Sequence, residues 1–377
     1  MHQLVFVHGV NNRAGPEYYA ELANRDELFK KIVWSGSSVN IRNPYWGGNA
    51  ATFSRNLACL PSRGAKAATF GLAGGAPAGS SGTTQPLAEV AASDFGAAVD
   101  AIFVAMVEKA EADNVVLSDE QIGQFAAAGA YAEDNALRTP SWAAANTLDA
   151  VVVSELRKRL PEPAAESFGI WDALSGAAAA VADRARNFVS SGVAPLIRDE
   201  LSPRFAIFLG DIFVYLYGAT DHPKRLSIRG VVADDLNAAW TEAKRTGGKL
   251  VVIGHSMGGV ILYDMLREPA PELNSELKID LLVTVGSQPG LFGEMDLLGP
   301  PTDGDAKAPH PASVTHWWNV FDPVDLLSFR CEPVFEGVTD FEFGSATGMV
   351  DAHTTYFKRP RFHVRLRKRL VEIGVLA

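Results

Sequence analysis

Apolar residues along this chain gather into short unbroken runs set between longer stretches of helical spacing. The first run, Leu4-Val5-Phe6-Val7, leads into His8-Gly9-Val10-Asn11-Asn12. A helix from Glu17 to Ile32 and a strand from Val39 to Tyr45, ending in Pro44-Tyr45-Trp46-Gly47-Gly48, complete a strand-helix-strand unit. The same alternation returns in the second half. A helix over Arg225 to Lys244 presents Leu226, Ile228, Val231, Val232, Leu236, Ala239 and Trp240 to a sheet and stops at Gly247-Gly248. Lys249 to Ile253, Lys278 to Val285 and Val314 to Phe321 read as strands, Val260 to Arg267 as a helix, and 334–343 as a strand pair before a terminal helix.

The middle follows another pattern. Residues 61–86 are rich in Gly, Ala, Ser and Thr and read as a flexible loop with no phosphate-cradling context. Residues 88–200 read as a helical insert: Val90 to Lys109 with Phe95, Val99, Ile102, Phe103 and Met106 on one stripe, a helix start at Ser118-Asp119-Glu120-Gln121, then helices from Ser141 to Arg159 and Ile170 to Val189. Such an insert either caps the site or buttresses the sheet; the cap is the favoured expectation. Phe205 to Tyr217 is apolar and aromatic, but at 13 residues it falls short of the roughly 20 that span a bilayer. It reads as a buried core helix or as an acyl-binding wall, with the partner of Asp211 left open.

Candidate chemistry centres on Gly254-His255-Ser256-Met257-Gly258-Gly259, directly after the strand Lys249 to Ile253. This is a Gly-x-Ser-x-Gly nucleophile elbow, in which small neighbours allow a strained turn that exposes the serine hydroxyl. A serine nucleophile needs a base, and the base needs an acid to hold its tautomer. In this architecture they follow in the order Ser, acid, His. The strand Val314 to Phe321 runs into Asp322-Pro323-Val324-Asp325. Asp322, first off the strand and held by Pro323, is favoured as the acid, while Asp325 reads as a turn cap. His353 is favoured as the base over His363, which sits among cations. The backbone N–H of Met257 and that of Val10, or of Gly9, are the expected oxyanion donors. Gly9, His255, Gly286 and Ser287 are expected around the substrate, and His8 reads as structural.

His8-Gly9, the elbow hexapeptide, Asp322-Pro323-Val324 and His353 together resemble the α/β-hydrolase superfamily, in particular its lipase and esterase branch. The resemblance implies an α/β fold with a mostly parallel twisted sheet flanked by helices, a Ser-Asp-His triad of Ser256, Asp322 and His353, no cofactor, and an acyl-enzyme intermediate. It departs from a compact hydrolase in the long separation of Gly9 from Ser256, which requires the insert.

Composition fits a single domain over 1–377: 47% hydrophobic and 21% charged residues bury a large core. The two cysteines, Cys59 and Cys331, are too few for a disulfide framework. A net charge of −10 argues against nucleic acid as a partner. The basic stretch 358–370 suits peripheral contact with anionic lipid, although a solvated helix face is the plainer reading. No metal-ligand spacing is visible. The first strand starts straight after Met1-His2-Gln3 without a leader or spanning segment, so a cytoplasmic enzyme is expected. Apolar content weakly favours lipid-like acyl esters, phospholipids included. Amide or thioester cleavage by the same triad, a hydrolase gated by a regulatory partner, and an inert scaffold are the alternatives.

Overall fold

The computed structural model of the chain describes residues 1–53, 87–135, 139–146, 148–161, 206–216, 223–268, 270–298, 306–344 and 352–376. The strands β1 (His2–Val7), β2 (Val39–Arg42), β3 (Leu250–His255), β4 (Ile279–Val285), β5 (Val314–Phe321) and β6 (Val338–Glu342) form one parallel sheet in the order β2-β1-β3-β4-β5-β6. β1, β3 and β4 are buried on both faces, which is why they appear as unbroken apolar runs rather than alternating ones. β2 stops at Arg42, short of the expected Tyr45. The expected strand pair at 334–343 is one strand, β6, because Phe335 forms only an isolated bridge with Ala308.

Period two sends Val5 and Val7 to one face of the sheet and Leu4 and Phe6 to the other. On the first face lie α7 (206–216), α8 (Pro223–Thr246), α9 (Met257–Arg267) and α10 (Pro289–Glu294). Ile228, Val232, Leu236 and Ala239 of α8 are fully buried there, each apolar side chain of Val or larger size contributing about 1.5–3 kcal/mol. Leu226, expected in that row, is exposed. On the second face lie α1 (Pro16–Leu28), a π turn (Phe29–Val33) and α11 (Pro360–Glu372), through Phe29, Val33, Phe362, Leu366 and Leu370.

The described part of the insert comprises α2 (Leu87–Ser93), α3 (Phe95–Ala112), α4 (Asp119–Asp134), α5 (Ser141–Ala145) and α6 (Asp149–Arg157). Asp94 breaks the first expected helix in two by capping α3, its carboxylate accepting the Ala97 N–H at 2.9 Å. Ser118 and Gln121 form a reciprocal capping box at α4. Asn146 separates α5 from α6: its backbone is extended and its side chain donates to Trp142 O. These helices share a core with Leu28, Ile32 and Val364, outside α1 and α11. α3 is buried almost all round rather than along one stripe.

Buried Arg361 bonds Asp100 through Nε at 2.9 Å and Nη2 at 2.7 Å, Lys358 pairs with Glu111 at 2.7 Å, and Arg365 with Glu133 at 2.9 Å. Through these contacts the described part of the insert packs against the terminal helix. Cations in the basic stretch 358–370 are engaged with the protein, since Arg367 donates to Val33 O and Arg369 lies 3.8 Å over the Phe341 ring. The loop 61–86, the insert stretch 162–200 and the helix expected over 170–189 lie outside the described residues. Among the described residues no helix is long and apolar enough to cross a membrane.

Strand order reverses once. The chain lays β2 outside β1, then returns to place β3 on the other side of β1. This switch point lies between β1 and β2 on one side and β3 on the other, and open parallel sheets bind ligands at the carboxyl ends of the strands at such a point.

Candidate active site

Register brings the chemistry to that end of the sheet. Val7 pairs with Gly254, His255 with Val285, and Val285 with Val320. Gly9, Ser256, Gly286 and the turn starting at Asp322 therefore leave neighbouring strands at about one level.

Ser256 has φ 53° and ψ −127°, a conformation that costs a non-glycine residue on the order of 1–3 kcal/mol and persists only where its surroundings fix it. Its N–H donates to Val285 O at 3.0 Å, and its carbonyl accepts from Gly259 N–H at 3.0 Å and from Ser287 Oγ at 2.6 Å. A Cβ on Gly258 would collide with Val7 O, and one on Gly9 would lie 2.7 Å from Ser256 Cβ and 3.2 Å from its Oγ. Glycine at both positions lets β1 and its loop run directly against the elbow. Met257 opens α9, so its amide belongs to the first turn, whose N–H groups have no intrahelical acceptor.

His353 Nε2 lies 2.9 Å from Ser256 Oγ, and its Nδ1 lies 2.9 Å and 3.1 Å from Oδ2 and Oδ1 of Asp325. One neutral tautomer serves both contacts: the hydroxyl donates to Nε2 while Nδ1–H donates to the carboxylate. Asp325 also accepts from the Leu327 N–H at 2.9 Å and the Tyr356 hydroxyl at 3.0 Å. Burial is the largest influence on Asp325 and pushes its pKa up. The hydrogen bond and charge of His353, with the Leu327 and Tyr356 donors, outweigh it and hold the carboxyl below its ordinary value. Burial first, then the charge of Asp325, push the Tyr356 phenol up, so it stays a donor.

The acid facing His353 is thus Asp325, and Asp322 is the turn cap, the reverse of the expected assignment. Asp322 Oδ1 accepts the Val324 N–H at 2.9 Å, and its Oδ2 faces Arg359 Nη1 at 3.4 Å, with both side chains fully buried. Arg359 also donates to Ala352 O at 3.4 Å and Thr355 Oγ1 at 2.6 Å. One buried guanidinium therefore ties the turn that carries Asp325 to the segment that carries His353. Nothing in the spacing of the sequence marked Arg359 or Tyr356 for these places.

Three residues expected around the substrate lie behind the triad instead. Ser287 is buried beneath the elbow, and a Cβ on Gly286 would lie 2.7 Å from the Tyr356 ring and 3.2 Å from Asp325 Oδ2. His255 donates from Nε2 to the backbone carbonyl of His353 at 2.9 Å, with its pKa pushed down to about 3 by burial first and by neighbouring His353 next. It clamps the base from below. His8 is structural, as expected: Nδ1–H donates to Gly9 O at 2.7 Å, Nε2 accepts the Trp46 N–H at 3.2 Å, and burial lowers its pKa to about 3. The neutral ring fixes the loop in which Gly9 and Val10 sit.

Among the described residues no group of three or more His, Cys, Asp or Glu side chains is placed to hold a metal ion. Cys331 is buried, and burial pushes its thiol above the ordinary range, so it behaves as a small apolar residue. Comparison with family models, curated proteins and solved structures finds no match to this chain.

Proposed function

We propose that the chain is a serine hydrolase acting on carboxylic esters, with the α/β-hydrolase arrangement that its motifs resemble. The observation that carries this reading is the Ser256–His353–Asp325 hydrogen-bond chain on a strained strand-to-helix turn. It is supported by the position of the nucleophile after an inner strand at the switch point, and by the chain order Ser256, Asp325, His353.

In this reading His353 Nε2 takes the Ser256 proton as Oγ attacks the ester carbonyl. Asp325 holds the Nδ1–H tautomer and balances the imidazolium that forms. The amides of Met257 and Val10 receive the oxyanion, each such donor being worth about 3–4 kcal/mol in the transition state. Collapse expels the alcohol, protonated by His353, and leaves an acyl-Ser256 ester. Water, deprotonated by His353, adds to that ester and releases the carboxylic acid and Ser256. Lipid-like acyl esters are the proposed substrates, and cytoplasmic action the proposed setting.

Ser256 is only 1% exposed and the His353 side chain 14%. Such limited access favours, as a second reading, a hydrolase that a regulatory partner or a lipid interface opens.

A fluorophosphonate probe on the full chain tests the proposal. Labelling of the wild type that is lost in Ser256→Ala and His353→Ala is the expected result, and a p-nitrophenyl ester series then reads acyl preference. A wild type that neither labels nor turns over any ester, thioester or amide in that panel, with or without phospholipid vesicles, sinks it.

A further inference from the structure

The apolar helix α7 carries one charged side chain, Asp211, and it is fully buried. Its carboxylate gathers four donors from two loops. Oδ1 accepts from the Ala51 N–H at 2.8 Å and Arg13 Nη2 at 3.0 Å; Oδ2 accepts from the Asn11 N–H at 3.2 Å and Arg13 Nη1 at 3.4 Å. Asn11 sits in the left-handed region with φ 63°, a conformation that needs holding in a residue with a side chain. Asn12 grips the same loop from its other side, with Nδ2 donating to Gly9 O at 3.0 Å and Val10 O at 3.1 Å. The peptide between Val10 and Asn11 is therefore fixed at both its carbonyl and its N–H.

α7 also reaches the elbow helix, since the Tyr215 hydroxyl donates to Asp264 Oδ2 of α9 at 2.7 Å. This bond anchors the other end of α7 to the body of the core. A carboxylate that only anchored α7 needed no more than the backbone of one loop. This one meets the residue next to the oxyanion amide, and a displacement of about 1 Å in such a group costs on the order of 10²-fold in rate.

We propose that Asp211 is a positioning residue for the oxyanion hole: through Asn11, Ala51 and Arg13 it aims the Gly9–Val10 loop at the carbonyl attacked by Ser256. This rests on the serine hydrolase reading and adds to it a part for the apolar run in place of an acyl-binding wall.

Asp211→Asn keeps the shape but turns one acceptor into a donor, which then faces a backbone N–H. The expected result is a fall of about 10²-fold in both kcat and the rate of fluorophosphonate capture, with KM and the shape of the pH–rate profile unchanged. Tyr215→Phe removes the other tie of α7 and is expected to lower Tm while leaving kcat as in the wild type. Arg13→Met alters a side chain that is 39% exposed, so it tests the clamp even if Asp211→Asn fails to fold; a fall of about tenfold in the same two rates is expected for one lost charge-assisted pair. Wild-type kcat in Arg13→Met and in any folded Asp211→Asn overturns the proposal. So does a loss of kcat in Tyr215→Phe that matches theirs, because that is the mark of helix anchoring alone. A wild type without labelling removes the hydrolase reading itself and is told apart by that blank.

Discussion

Asp322 and Asp325 stand in one four-residue turn, and the structure assigns them opposite duties that two substitutions separate. Asp322→Asn removes a full negative charge that faces the buried guanidinium of Arg359 at 3.4 Å. It leaves the Val324 N–H an acceptor. Removing one partner of a buried pair costs about 3–5 kcal/mol. Spread over the unfolding entropy of a chain this size, near 2.1 cal/mol/K per residue, that lowers Tm by about 4–6 °C. Asp325→Asn acts elsewhere: an amide no longer demands Nδ1–H of His353, and the wrong tautomer costs about 10⁴ in kcat, or some 5.5 kcal/mol of barrier. Calorimetry and ester turnover, run on both variants well below the lower Tm, should show Asp322→Asn destabilised with kcat within about tenfold of wild type, and Asp325→Asn folded and nearly inactive. The reverse pattern, with Asp322→Asn the dead enzyme, would refute the geometry from which the argument starts.

Gly9→Ala sets a methyl 3.2 Å from Ser256 Oγ, so kcat/KM should fall by at least about 10² with circular dichroism unchanged; retention of a tenth of the activity counts against the close approach of β1 to the elbow. His255→Phe deletes the donor to the His353 carbonyl and should lower kcat about tenfold with KM constant, the size of one lost hydrogen bond; an unchanged kcat would show that the clamp is idle. His363, buried among Phe29, Phe125 and Phe362, is pushed down to about 4 by burial. The unfolded chain binds its proton below pH 6.5 and the folded chain does not, so stability is lost as pH falls below 6.5, and the loss is complete once pH passes about 4. The Tm of His363→Phe relative to wild type should therefore climb from neutral pH towards pH 4, and a flat difference contradicts this.

How far the sequence could be read depended on where each decision is made. β1, β3 and β4 were legible because strands buried on both faces declare themselves as apolar runs, and Ser256 was legible because its turn demands small neighbours within two positions. Asp325 was not. Which carboxylate meets His353 depends on Arg359, 37 positions beyond Asp322, and a short Asp-Pro-Val-Asp turn offers either one. The partners of Asp211 were equally out of reach, 160 to 200 positions away. The single stripe expected on α3 fell short for a related reason: Arg361 of α11 packs on Gly96 and bonds Asp100, which no local periodicity reports.

β1 is flanked by partners of very different age. His2 pairs with Val39, but Gln3 pairs with Leu250. At roughly 5–20 residues per second, a ribosome takes on the order of 10–50 s to travel from the first strand to β3. Closing so long a loop adds only about 2 kcal/mol over a twenty-residue crossover, so the demand is on time rather than on equilibrium. Throughout that wait a largely apolar strand has one open edge, a template for any other extended chain. Slowed elongation across the insert should therefore raise aggregation of the nascent protein. The delay also orders the assembly of the site: Gly9 meets Ser256 only when β3 closes on β1, and His353 arrives about a hundred residues later, so on the proposed hydrolase reading no fragment made before then should attack an ester.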